Sequence, residues 1–336
     1  MILVIGGAGY IGSHMCKVLR EANEPHLVLD NLSQGHRAAV KESPLMVGDL
    51  RDKEHLERVF GENEIDLVMH FAAYISVGES VREPAKYWDN NTAGVLTLLE
   101  TMKENGIGKF VFSSTAAIFG EPKYVPIDED HPKDPTNTYG DTKLASEKIL
   151  KSFDTAYGVK AVCLRYFNAA GADPGGQMGE DHEPEEHLVP LAIKAALGQR
   201  PGLKIFGTDY DTPDGTCVRD YIHILDLAEA HLLAVKHLRQ GGDSRHYNLG
   251  NGQGFSVKQV IETVERVSGK QVPNENAARR PGDPAKLIAS SDRIREDWSW
   301  SPKMPKLETI VETAWNWHST HPNGYDDRRS VASSSS

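Results

Sequence analysis

The sequence predicts an α/β protein in which a doubly wound parallel sheet is followed by a smaller C-terminal region. Three observations carry this. Short apolar runs in the first half alternate with longer amphipathic stretches, the rhythm of β-α-β units. The runs lack polar/apolar alternation, as strands buried on both faces do. From about Ala169 the texture changes: residues 171–186 are rich in Gly, Pro and acidic residues, and the rhythm does not resume.

The expected strands are residues 2–5, 27–30, 45–47, 67–71, 110–113 and 161–166. Between them lie expected helices at 11–22, 53–60, 90–105 and 139–152. This sets a first domain at 1–168, a second at 169–328 and a disordered tail of small polar residues at 329–336. Residues 219–238 are a candidate to pack back on the first domain. The 336 residues suffice for both domains. The 37 Lys and Arg against 48 Asp and Glu give a net charge of −11, which argues against a nucleic-acid partner. No apolar run approaches membrane-spanning length, and the chain opens on an apolar strand without a leading basic segment. A cytoplasmic protein with no membrane partner is expected. Cys16, Cys163 and Cys217 fit neither a disulfide framework nor a zinc site, and no metal site is expected.

The first strand runs into Gly6-Gly7-Ala8-Gly9-Tyr10-Ile11-Gly12, which satisfies G-x-G-x-x-G and G-x-x-G-x-x-G. Such glycines make a tight turn and let backbone approach a pyrophosphate, which the helix N-terminus then attracts. A lone glycine motif is weak, but here a strand precedes it and a helix follows. Asp30 stands at the end of the second strand, where a carboxylate accepts hydrogen bonds from a ribose diol and repels a 2′-phosphate. The combination predicts a Rossmann-type fold with NAD, not NADP, as cofactor. Arg37, a basic residue in the loop that follows, is the main candidate to offset the repulsion.

Tyr139 and Lys143 open the fourth expected helix, four residues apart and so on one face. A free phenol titrates near 10. A neighbouring ammonium and a positive nicotinamide both favour phenolate and draw it towards working pH. Lys143 can also hold a ribose hydroxyl. Thr115, after the fifth strand, brings a hydroxyl to the strand ends where such sheets bind ligands. A Y-x-x-x-K spacing alone is common on amphipathic helices. The glycine loop, Asp30, Thr115 and the Tyr-Lys pair in this order form a far more specific set.

These strings resemble the extended short-chain dehydrogenase/reductases, and within them the UDP-glucose 4-epimerases, over about residues 1–322. Gly48-Asp49-Leu50-Arg51, His70-Phe71-Ala72-Ala73, Val77-Gly78-Glu79-Ser80 and residues 112–120, 164–171, 205–226 and 279–283 carry the resemblance. It implies a tightly held NAD and a transient oxidation. Tyr139 takes the proton of the sugar 4-hydroxyl, hydride leaves C4, the 4-keto sugar turns about its link to the diphosphate, and hydride returns to the other face. The resemblance further implies Asp49 and Leu50 at the adenine and Asp30 and Asn31 at its ribose. Phe71, Ala72, Ala73 and Asn90 line the NAD site, and Tyr166 lies near the nicotinamide. For the UDP-sugar it implies Asn168, Arg219 and Arg280 at the diphosphate, Asp283 at the ribose, and Lys204, Ile205 and Phe206 at the uracil. His187, Leu188, Tyr221 and Leu287 complete that set. A homodimer through the helices at 90–105 and 139–152 is also implied, although Val95, Leu98 and Leu99 are equally explained by internal packing.

Four positions depart from the family pattern. Thr115 stands where Ser is frequent, Ile75 where some members carry Lys, and His187 where some carry Asn. Leu287 lies where residue size governs room for a 2-acetamido group, and Leu is intermediate. UDP-pentoses and UDP-N-acetylhexosamines therefore stay open as substrates. Sugar-nucleotide 4,6-dehydratases share the motifs but follow the strand-end Thr with acidic residues, whereas Ala116-Ala117 follows here. A non-enzymatic NAD sensor is disfavoured because Tyr139, Lys143 and Thr115 are all retained.

Overall fold

The computed structural model describes residues 1–280 and 282–326; the expected tail at 329–336 lies outside them. The chain divides into two compact units. The first comprises Met1–Gly120, Pro132–Arg165 and Ala228–Tyr247, and the second Glu121–His131, Tyr166–Leu227 and the chain from Asn248 on.

The first unit is built on a seven-stranded sheet. Six strands follow the expected order: β1 (Ile2–Ile5), β2 (His26–Asp30), β3 (Leu45–Val47), β4 (Leu67–His70), β5 (Lys109–Thr115) and β6 (Lys160–Tyr166). The seventh, Arg245–Leu249, comes from late in the chain and takes the edge beside β6, a strand the sequence reading did not anticipate. β1 pairs in parallel with β2 and with β4, β2 with β3, and β4 with β5. All four residues of β1 are at most 1% exposed. Both faces of the strand are therefore covered, which is why no alternation showed in its sequence. The long helices are α1 (Tyr10–Glu21), α2 (Lys53–Glu62), α3 (Gly94–Glu104) and α4 (Thr138–Tyr157). Leu3, Ile5, Val68 and Phe110 of the sheet share one apolar cluster with Leu56 of α2, Leu98 of α3 and Leu150 of α4.

One local feature departs from the expected helices. The helix expected at 90–105 is broken: Pro84–Trp88 runs into a wider π-type turn, Asp89–Ala93, before α3 begins. Such a bulge re-aims side chains within a helix. Val95, Leu98 and Leu99 are fully buried within the chain, so their apolar character serves its own core.

The second unit is assembled from small pieces. Asn168–Ala170 pairs with Tyr221–His223, Leu203–Phe206 with Asn274–Ala277, and Val218–Arg219 lies between Phe255–Ser256 and Lys286–Leu287. The longer helices after α4 are α5 (Leu188–Ala196), α6 (Ile224–Arg239), α7 (Val257–Ser268) and α8 (Leu307–Thr320), with a short one at Asp292–Trp298 between the last two. Val189 and Ile193 of α5, Val260 and Val264 of α7, and Ile310 of α8 form its core. Helix α6 spans the boundary, its residues from Ala228 on belonging to the first unit. Among the described residues no helix is long and apolar enough to cross a membrane.

Candidate active site

The strand order reverses at β1, whose neighbours are β2 on one side and β4 on the other. Open α/β sheets bind ligands at the carboxyl ends of the strands flanking such a reversal. Here those ends carry Gly6 after β1, Asp30 closing β2 and Phe71 after β4.

The glycines of the loop are not equivalent. Gly6 has φ +78°, and a Cβ there would lie 2.5 Å from Ala72 N. A Cβ on Gly7 would meet Val28 at 2.8 Å, and one on Gly12 would overlap Gly6 O. The fold itself requires these three. Gly9 differs: its φ is −78°, and a Cβ would meet only Gly6 O, at 3.5 Å. Nothing in the protein needs glycine at this N-cap of α1, where no side chain caps the helix and the first turn holds no carboxylate. A Cβ would instead fill space at a helix N-terminus suited to an anion. Tyr10 and Ile11 form the first turn of that helix.

Asp30 is 8% exposed and fixed by two backbone donors, Ala8 N at 2.9 Å and Leu32 N at 2.8 Å. Burial pushes its carboxyl up, and the two N–H groups oppose the shift. Beside it, Asn31 Nδ2 donates to Asp49 Oδ2 at 2.9 Å. Hydrogen bonds from Arg51 hold Asp49 well below the usual carboxylate range despite partial burial. Asp30, Asn31 and Asp49 thus form one connected polar edge, with Leu50 buried next to it. This is the arrangement a dinucleotide's adenosine half demands: an uncapped helix N-terminus, a close-approach glycine and a fixed carboxylate. Phe71 N donates to Ile5 O, and Asn90 Nδ2 donates to Asn91 Oδ1 at 2.9 Å. Asn91, which the sequence reading passed over, bonds both N and O of Tyr74 at 2.9 Å and so fixes the strand end that carries Ala72 and Ala73.

Tyr139 lies in the first turn of α4, capped by Asn137, whose Oδ1 accepts from Gly140 N at 2.9 Å. Its backbone N donates to Ser80 Oγ at 3.2 Å. Thr115 ends β5, two residues beyond the expected strand. Its Oγ1 accepts from Ala117 N at 3.1 Å and its side chain hydrogen-bonds Tyr139. The Thr115 hydroxyl thus bridges the Ala117 N–H and the phenol. The segment Ala116-Ala117 therefore contributes a backbone N–H and no acid/base side chain.

Burial sets the charges here. It pushes the Tyr139 phenol up to about 12 against the Thr115 hydrogen bond. The downward pull expected from Lys143 does not prevail in the protein's own field. Lys143 is 2% exposed and donates from Nζ to Ser113 O at 2.8 Å, with the Phe112 ring 4.9 Å from Nζ. Burial draws its amine down to about 7, against the charge of Glu147. Glu147 was also unanticipated. It accepts from Ser114 Oγ at 2.7 Å and from Arg165 Nε and Nη2 at 2.9 and 2.6 Å, a buried fork joining β5, α4 and β6.

In the second unit a cavity of about 740 Å³ is lined by Asn168, His187, Leu188, Lys204, Phe206 and Arg219, and also by Tyr221, Arg280 and Asp283. Ile205 and Leu287 are not among the described lining residues. Ile205 is buried in the apolar core, and Leu287 sits beside Arg219 in the strand register. Arg219 forms an ion pair with Asp283, and the Arg280 guanidinium lies 3.9 Å over the Phe206 ring. Asn168 Nδ2 donates to Asp220 O at 2.8 Å. Asp220, between Arg219 and Tyr221, is fully buried and accepts from Asn251 N, Gly252 N and Ala289 N at 2.8 to 3.1 Å. Burial raises it to about 6 in spite of those donors. It ties its own strand to residues 251–252 and to Ala289. Burial disfavours the charged His187 ring, but Glu180 and Glu185 outweigh it and hold its pKa well above the usual value. Tyr166 closes β6 as the first residue of the second unit.

The sequence profile of the NAD dependent epimerase/dehydratase family matches residues 2–250. The chain is 56% identical over 324 residues to a UDP-glucose 4-epimerase of Halalkalibacterium halodurans, covering 96% of this chain and 97% of that protein. It superposes on the crystal structure of a UDP-glucose 4-epimerase with TM-score 0.95 and 51% identity, covering 97% of this chain and 99% of that one. A UDP-glucose 4-epimerase of Bifidobacterium longum, crystallised with NAD+ and UDP, gives TM-score 0.91 at 38% identity, over 96% and 99% of the two chains.

The Lys143 environment makes a stability prediction. Its folded pKa of about 7 lies below the ordinary 10.5. Between those values the native state binds fewer protons than the unfolded chain, so the stability this group contributes rises with pH across the window. Below it, the buried ammonium is a cost. Lys143→Met should raise the urea unfolding midpoint at neutral pH, with the gain shrinking as pH approaches 10.5. A midpoint lowered at every pH would mean that the bond to Ser113 outweighs desolvation.

Proposed function

The chain belongs to the NAD dependent epimerase/dehydratase family, and on that premise we propose that it interconverts UDP-glucose and UDP-galactose by inverting the sugar at C4, with NAD as resident cofactor. The observation that carries the assignment is the chain Ala117 N–H to Thr115 hydroxyl to Tyr139 phenol. That hydrogen-bonded chain supports Tyr139 as the proton-transfer group, and Ala116-Ala117 after Thr115 offer none of the side-chain acid that loss of water from a sugar requires. Full-length likeness to UDP-glucose 4-epimerases supports the same reading.

On this reading the first unit is the cofactor domain. The backbone of Gly6, Gly7, Gly9 and Gly12 and the start of α1 hold the diphosphate. Asp30 and Asn31 hold the adenosine ribose, Asp49 and Leu50 border the adenine, and Phe71, Ala72, Ala73 and Asn90 line the remainder. Lys143 holds the second ribose and Tyr166 borders the nicotinamide. NAD, when bound, supplies a positive ring and a hydride acceptor and donor for C4. Tyr139 takes the 4-hydroxyl proton and returns it after inversion, with Thr115 positioning or relaying that proton. Lys143 favours the phenolate when it carries its proton.

The second unit is the UDP-sugar domain. Arg219 and Arg280 meet the diphosphate with guanidinium forks, with Asn168 beside them. Asp283 meets the ribose, while Lys204 and Phe206 border the uracil, and His187, Leu188 and Tyr221 complete the pocket. Ile205 backs this wall from the apolar core, and Leu287 stands beside Arg219 in the neighbouring strand. A homodimer through α3 and α4 belongs to the same reading and rests on the family resemblance. A reducing cytoplasmic setting is supported by three buried free thiols.

Two experiments test this. Purified protein given UDP-galactose and no added NAD should form UDP-glucose, and Tyr139→Phe should lose most turnover while keeping NAD. Turnover confined to a UDP-pentose or UDP-N-acetylhexosamine would overturn the hexose assignment, and a 4-keto-6-deoxy product would place the chain with the dehydratases. Gly9→Ala should leave the unfolding free energy within about 0.5 kcal/mol of the parent yet no longer retain NAD through gel filtration. Normal retention would show that the diphosphate does not sit over Gly9.

A further inference from the structure

The segment leading into α5 carries Glu180, His182, Glu185 and His187 in the pattern Glu-x-His-x-x-Glu-x-His. No metal was expected from the cysteines, and these four drew no attention as a group. In the fold they converge: one ligand-type atom from each lies within 4.8 Å of all the others. His187 Nδ1 is 2.7 Å from Glu180 Oε1 and 3.1 Å from Glu185 Oε1. His182 Nδ1 is 3.2 Å from Glu180 Oε1 and 4.0 Å from Glu185 Oε1. Four ligands about 2.1 Å from a central ion at tetrahedral vertices stand roughly 3.4 Å apart. The cluster is already near that spacing.

Its burial sets it apart from an ordinary surface ion-pair group. The Glu180 and Glu185 side chains are each 4% exposed. Glu185 Oε2 is buried and has no hydrogen-bond partner. The His187 ring meets Glu180 Oε1 and Glu185 Oε1 through a single nitrogen and leaves Glu185 Oε2 without a donor. A buried oxygen without a donor is a costly feature to retain. A dication that displaces the ring proton can engage both carboxylates and both rings at once. Two imidazole nitrogens with two carboxylate oxygens suit zinc and its first-row neighbours; magnesium and calcium favour oxygen alone.

We propose that Glu180, His182, Glu185 and His187 bind one divalent first-row transition ion, zinc foremost. The ion ties the acidic Gly/Pro-rich segment to the first turn of α5. Glu180, His187 and Leu188 also line the cavity that holds Arg219 and Asp283, so the ion stiffens that wall. The proposal stands independently of which sugar nucleotide the cavity takes.

The test uses the full chain, stripped with chelator and dialysed against zinc and, separately, cobalt(II). About one ion per chain should be retained, and cobalt should give the intense visible bands of a four-coordinate site. His182→Ala and Glu185→Gln should each weaken binding by about tenfold or more, since loss of even an outer partner costs that much. Zinc should raise the thermal midpoint of the parent and not of the variants. If Glu185→Gln does not fold, His182→Ala carries the test, its ring being 19% exposed. No retained ion, weak cobalt bands, or binding untouched by either substitution would overturn the site.

Discussion

Desolvation at the carboxyl end of β5 is the constraint on which the rest of the proposed chemistry depends. Burial moves two groups in opposite directions: the Tyr139 phenol up to about 12 and the Lys143 amine down to about 7. Both shifts have one cause, the penalty on charge away from water. Both favour a neutral pair. The Tyr139 phenol is thus held un-ionised by the protein's own surroundings, with the Thr115 hydroxyl opposing. A positive group brought to this site would favour the phenolate.

Rigidity around that pair is built from backbone as much as from side chains. Asn137 caps α4 so that Tyr139 falls in its first turn, Ser80 receives the Tyr139 N–H, and Ala117 N–H orients Thr115. The Glu147–Arg165 fork ties the helix to its neighbouring strands from below. On the cofactor side three glycines serve the fold and Gly9 leaves room that the protein does not use. The same economy appears at Asp220, which spends a buried carboxylate on three N–H groups to hold the strand between Arg219 and Tyr221 in place.

Much of this was legible in the sequence where the signal is local. The strand-turn-helix at Gly6–Gly12, the carboxylate at Asp30 and the one-face spacing of Tyr139 and Lys143 all follow from periodicity and chemistry. What escaped depends on partners distant in the chain. The edge strand Arg245–Leu249 lies far along the chain from its neighbour β6, and its Arg-His-Tyr-Asn-Leu sequence is too polar to read as a buried strand. The π-type turn at Asp89–Ala93 looks like continuous helix, although it sets Asn90 and Asn91. Glu147 and Asp220 are ordinary acids by composition, and only burial shows their roles. Val95, Leu98 and Leu99 are apolar for core reasons. The Glu180–His187 cluster was hidden because its carboxylates read as a solvated acidic loop.

On this reading Tyr139 stays protonated until positive charge reaches it. The most direct measurement is its ionisation by NMR of protein labelled at the tyrosine ring carbon bearing oxygen, assigned with Tyr139→Phe. The protein would be stripped of dinucleotide and then supplied with either the oxidised or the reduced form. The phenol should titrate near 12 alone, fall by roughly 1 to 3 on the pH scale with oxidised NAD, and stay high with NADH. The same titration in all three samples, or a phenol already ionised near neutral pH without dinucleotide, would contradict it.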